Sequence, residues 1–127
     1  MDLEEVSLFD FGRGLIATLV SNGFQVPNEN RVWHEFFYTL KKEERDNKPG
    51  FFNGLWFDWD APYPKSPELS ELFHALNIVY LVRSQLGKIV LDEHIISHWL
   101  HQIKVYSPEL RHYFDYAAER ATKDLMH

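Results

Sequence analysis

Phe51-Phe52-Asn53-Gly54-Leu55-Trp56-Phe57-Asp58-Trp59-Asp60-Ala61-Pro62-Tyr63-Pro64-Lys65-Ser66-Pro67-Glu68-Leu69 is the densest aromatic run of the chain and holds three of its six prolines. Residues 51–60 alternate in the manner of a half-buried strand. Leu55, Phe57 and Trp59 then face a core, while Trp56, Asp58 and Asp60 face solvent or a partner. Pro62 and Pro64 end any ladder, because neither offers an N–H. Ser66 follows as a helix N-cap, with Pro67 at the first helical position and Glu68 adding negative charge where the helix dipole favours it. The stretch therefore reads as strand, rigid Pro-Tyr-Pro corner and capped helix.

Two meanings fit this corner. Trp56 and Tyr63 supply large, rigid contact area and Asp58, Asp60 and Lys65 supply charge, which makes a partner-binding surface. In the plainer reading the aromatics fill a core and the aspartates keep the outer face wet.

Downstream, Leu69, Leu72, Phe73, Leu76, Val79 and Tyr80 keep a 3.6-residue period, which predicts a helix from Pro67 to Leu86 that stops at Gly87. The alternative ends it at Asn77 and pairs Ile78–Val82 with Lys88–Leu91 as a hairpin. In either case Ile89–Leu91 is available to pair with Leu55–Trp59. Asp92 caps a helix over Glu93–Val105. Ser107-Pro108-Glu109-Leu110 repeats the capping chemistry of Ser66–Leu69 and opens a last helix to about Asp124, whose buried side is Leu110, Phe114, Ala117, Ala118, Ala121 and Leu125.

Upstream, residues 1–6 are acidic and are expected to fray. Ser7 or Asp10 caps a first helix that stops at Asn22-Gly23. Its stripe is Leu8, Phe11, Leu15, Leu19 and Val20. Gly12 and Gly14 weaken it by about 1 kcal/mol each relative to Ala, and either admit a close neighbour or delay the helix start. Asn28 or Asn30 caps a second helix to about Arg45, with Trp33, Phe36, Phe37 and Leu40 as its core face. Asn47-Lys48-Pro49-Gly50 is a turn.

The 127 residues suit one domain with a single core. There are no cysteines, which removes disulfides, thiolate metal sites and a cysteine nucleophile, and fits a reducing, cytoplasmic setting. A formal charge of −6 suits a nucleic-acid backbone poorly. The start Met-Asp-Leu-Glu-Glu lacks the basic and apolar regions of a signal peptide, and no apolar run approaches a membrane span.

His94, His98 and His101 share one helix face. With His94 at 0°, His98 falls at about 40° and His101 at about −20°, opposite Ile95, Ile96, Trp99, Leu100 and Ile103. Histidines at i and i+4 are able to bind a transition metal, but His-Ile-Ile-Ser-His lacks the adjacent glutamate of a zinc-peptidase helix. A pH-sensitive solvent face is the plainer meaning. Asp58 and Asp60, with Lys65 and Glu68, are a second candidate for holding a divalent metal. No phosphate loop or nucleophile elbow is present, and no motif calls for a cofactor.

The segment Phe57-Asp58-Trp59-Asp60-Ala61-Pro62-Tyr63-Pro64-Lys65-Ser66-Pro67-Glu68-Leu69 resembles the Tyr-Gly-Pro-Tyr-Ser-x-Glu-Leu signature of YwgA-like and SocA/Panacea-type domains. Phe37-Tyr38-Thr39-Leu40 is similar to the end of the helix that precedes it there. The resemblance spans roughly residues 31–82, with Ala61 in place of the family's glycine and a re-spaced corner. It implies a small, mostly helical intracellular domain acting by protein contact, often as an antitoxin or adaptor, with no catalytic residues to carry over.

The sequence thus leads to an α+β, predominantly α-helical domain of about five helices around a minimal two-stranded sheet. Its expected role is non-catalytic protein interaction or self-association, as a dimer, through Trp56, Asp58, Asp60, Tyr63 and Lys65. A metal-dependent hydrolase using the histidine face or the aspartate pair is the runner-up. A winged-helix-like DNA regulator comes third, since Pro67–Leu86 sets Glu68 and Glu71 against Arg83 alone.

Overall fold

Helix α1, Leu8–Ser21, begins where Ser7 Oγ accepts the Asp10 N–H at 3.0 Å and ends where Gly23 takes a φ of 87°. Phe11, Leu15, Ile16, Ala17 and Leu19 are all buried, and so is Arg13. A helix covered on nearly every side sits at the centre of its domain. In the computed structural model, which describes residues 6–27, 29–45, 48–59, 62–79, 83–85 and 88–125, α1 indeed packs against three other helices.

Those are α3 (Pro67–Val79), α4 (Glu93–Ile103) and α5 (Pro108–Leu125); α2 (Asn30–Lys42) packs on α5. The protein is predominantly helical, with five α-helices among the described residues. Close packing explains the two glycines of α1. A Cβ on Gly12 would stand 2.7 Å from Leu72 of α3, and one on Gly14 would stand 3.0 Å from Phe114 of α5 and 3.2 Å from Ile103 of α4. The neighbours are side chains, and the helix runs unbroken through both glycines, so the delayed start does not occur.

Caps written in the sequence form as read. Ser66 Oγ accepts from Leu69 N, Asp92 Oδ1 from His94 N and Ser107 Oγ from Leu110 N. Helix α2 is different. Its N-cap is Glu29, which makes no side-chain capping bond, and Asn30 is already helical. Its entry is fixed instead by the Trp33 indole N–H, which donates to the Pro27 carbonyl at 2.8 Å. At the other end, the Lys48 ammonium donates to the Lys41 and Glu43 carbonyls, which α2 leaves without helical partners.

Three expectations need correction. The alternating stretch does not begin as a strand: residues Gly50–Gly54 form a short 3-10 helix. Phe51 and Phe52 therefore stack on each other at 4.4 Å and both reach Phe11, which a strand would have prevented by pointing them to opposite faces. Helix α3 is described to Val79, past the Asn77 ending considered, and residues 80–82 lie outside the described residues. Ile78 and Val79 are helical where the alternative places a strand, and Arg83–Gln85 is extended, so the helix does not run on to Leu86. Ile89 N donates to the Val26 carbonyl at 2.7 Å, not to residues 55–59. The fraying expected for residues 1–6 falls, apart from Val6, outside the described residues.

Candidate partner-binding surface

One face of α2 carries the aromatic corner. Arg31, His34, Tyr38 and Lys41 recur at i, i+3, i+7 and i+10, on the side flanking Trp33, Phe36, Phe37 and Leu40. Each of the four touches the segment from Leu55 to Ser66. The Lys41 ammonium donates to the Leu55 carbonyl. Tyr38 meets Phe57 at 5.2 Å and Trp59 at 4.8 Å, both edge-on. The Arg31 guanidinium and the His34 ring each lie 5.9 Å from the Tyr63 ring. Ser66 N donates to His34 Nδ1 at 2.8 Å.

The corner also closes on itself. Asp58 N donates to the Lys65 carbonyl at 2.8 Å, and Lys65 N returns a bond to the Asp58 carbonyl at 3.2 Å. This isolated bridge is the β-pairing that residues 55–59 make. Trp56 N donates to Glu68 Oε1 at 2.9 Å, which ties the corner to the first turn of α3.

The alternation places Leu55 and Phe57 in the core and Trp56 outside, 64% exposed. Trp59 departs from it. Expected among the core residues, it is 60% exposed. The chain turns back at the Asp58–Lys65 bridge, so the period of two ends there, and Trp59 meets Tyr38 in a T-shaped contact while staying mostly exposed. Tyr63 is half-buried and Lys65 is exposed. Asp58 is half-buried; Asp60 lies outside the described residues. Trp56 and Trp59 are the most exposed aromatic side chains among the described residues.

His34 was not singled out by its sequence context. It is fully buried, and because Nδ1 accepts from Ser66, the ring proton sits on Nε2. That N–H has no hydrogen-bond partner among the described residues. Burial, with the Lys65 charge adding to it, lowers the His34 pKa to about 4. His34 is thus a neutral latch between α2 and the corner. The signal that could have found it is its place on the Arg31–Tyr38–Lys41 face.

A groove of about 590 Å³ lies between the start of α1, the 3-10 turn and α3, and Leu55, the residue before Trp56, lines it. Leu8, Phe9, Phe51, Leu55, Leu72 and Ala75 line it with apolar groups, and Glu68 and Glu71 are its charged lining residues. Sequence reading did not join these segments.

The histidines of α4 are apart from this surface. His94, His98 and His101 are exposed, and Trp99 on the opposite side is buried. Gln102 Nε2 approaches His98 Nε2 at 3.5 Å. Among the described residues no group of three His, Asp or Glu side chains is placed to hold a metal ion. A second polar cluster joins α2 to α5: Glu43 accepts from the Tyr116 hydroxyl at 2.6 Å and from Arg120, which also reaches Asp124 at 3.3 Å. Burial and the Glu43 charge push the Tyr113 hydroxyl pKa well above its ordinary value, so this tyrosine stays neutral. No described helix is long and apolar enough to cross a membrane.

No protein-family model matches the chain, and no curated protein and no solved structure matches it either.

Proposed function

We propose that this protein is a non-catalytic protein-interaction module whose contact surface is the Leu55–Lys65 corner. The observation that carries the reading is the paired exposure of Trp56 and Trp59 on a backbone fastened at Leu55, Trp56, Asp58, Lys65 and Ser66. A rigid backbone presents the rings with little ordering cost. Covering the exposed parts of both would remove roughly 200–300 Å² from water, about 5–7 kcal/mol at ~25 cal/mol/Å². Tryptophans in such settings dominate interface energies.

The resemblance of Phe57–Leu69 to the YwgA-like and SocA/Panacea-type signature supports the same reading, and suggests an antitoxin- or adaptor-like regulatory role in the cytoplasm. The fold proposed for it is the five-helix scaffold with a minimal two-stranded sheet of Arg83–Gln85 and Lys88–Val90.

The test is the double variant Trp56→Ala/Trp59→Ala. Both side chains are more than half exposed, so its unfolding free energy should stay within about 1 kcal/mol of the parent. Its association, whether with a cellular partner or with a second copy, should weaken at least about a hundredfold. A folded double variant that associates as the parent does would overturn the assignment.

A further inference from the structure

We propose that the groove between α1, the 3-10 turn and α3 takes an amphipathic, basic helix of the partner protein. The inference rests on the protein-contact reading above and adds the chemistry of the partner.

Glu68, Glu71, Leu72 and Ala75 stand at i, i+3, i+4 and i+7 of α3 and form one wall. Leu72 and Ala75 line the groove together with Leu8, Phe9, Phe51 and Leu55, and Glu68 and Glu71 are the charged groups among its lining residues. Among the described residues that line the groove there are two acids and no lysine or arginine. Such a lining, apolar apart from one serine, one glycine and two carboxylates, complements a helix with apolar residues at i, i+3/i+4 and i+7 and with Lys or Arg on its flanks.

Glu68 links the groove to the tryptophan. Its Oε1 accepts from Trp56 N, so the backbone that carries the exposed indole is fastened to a lining residue of the groove. A helix in the groove would run its flank against Trp56, where a cation over the indole face is favourable. A second copy of this chain is a poor occupant, because each carries a net charge of −6.

The probe is a synthetic amphipathic peptide of about 14 residues with leucines on one face and lysines on the other, and a companion with every lysine replaced by glutamate. Binding is followed by fluorescence anisotropy and by amide shifts of labelled protein. The lysine peptide should bind, shift the amides of Leu8, Phe9, Gly54, Leu72 and Ala75, and weaken severalfold between low and physiological salt. The Glu68→Gln/Glu71→Gln variant keeps an acceptor for Trp56 N and should bind at least about tenfold more weakly. The glutamate peptide should be weaker still. Equal binding of the two peptides, indifference to the double glutamine variant, shifts confined to α4 and α5, or no binding would each overturn the groove assignment. If the peptide fails while the tryptophan double variant still loses association, the groove falls and the corner stands. If the peptide occupies the groove and the tryptophans prove dispensable, the groove stands without the corner.

Discussion

His34→Asn should flatten the acid dependence of stability. The buried imidazole stays neutral until its pKa of about 4, whereas in the unfolded chain it takes up a proton at about 6.5. Between those values the unfolded state binds the extra proton, so stability falls as pH drops through the window and levels off below it. At pH 5 the loss relative to pH 7.5 is about 2 kcal/mol, and below pH 4 it approaches about 3 kcal/mol. Asparagine carries a carbonyl able to accept from Ser66 N where Nδ1 does now, and it does not titrate in this range. Other acidic and histidine side chains titrate in both proteins and cancel in the difference. Urea unfolding at pH 7.5 and 5.0 measures it. With a slope of about 1.5–2 kcal/mol/M, the parent's midpoint should fall by about 1 M more than the variant's. Parallel falls would refute the neutral latch, as would nitrogen chemical shifts showing a doubly protonated His34 at pH 5.5.

Two further outcomes concern the scaffold. Phe11 is fully buried among Phe37, Phe51, Phe52, Tyr113 and Phe114, so Phe11→Ala should cost about 3–5 kcal/mol by denaturant unfolding. Glu43→Gln removes the charge that holds Arg120 and Tyr116 in a part-buried cluster and should cost about 1–2 kcal/mol, whereas Glu119→Gln, whose partner Lys123 is 3.6 Å away in water, should change stability by less than about 0.5 kcal/mol. Equal effects of the two glutamine substitutions would show that burial gives the Glu43 cluster no added weight.

Local chemistry was legible in the sequence and distant chemistry was not. Ser7, Ser66, Asp92 and Ser107 were readable as caps because each bonds a backbone N–H two or three residues ahead. The core faces of α2 and α5 followed from period 3.6, and Trp33, Phe37, Leu110 and Phe114 are buried accordingly. Period 2 failed at both ends of its stretch. It missed the 3-10 turn, which lets Phe51 and Phe52 serve one core, and it put Trp59 inside because it does not register the reversal at Asp58 and Lys65. His34 escaped because its partner, Ser66 N, is 32 residues away. The acidic wall of the groove is written on α3, but its apolar side comes from Phe9 and Phe51, which only folding brings beside it.

The central claim, that the Trp56–Trp59 corner contacts a protein partner, is met most directly by photocrosslinking in the cells that make the protein. Benzoylphenylalanine is placed at Trp59 and, as a control, at Val105, an apolar residue still more exposed, just beyond α4. The account predicts a discrete adduct of defined mass from position 59 that disappears when Trp56 is replaced by alanine, and none from position 105. Adducts of the same pattern from both positions, or an adduct at 59 indifferent to Trp56, would contradict it.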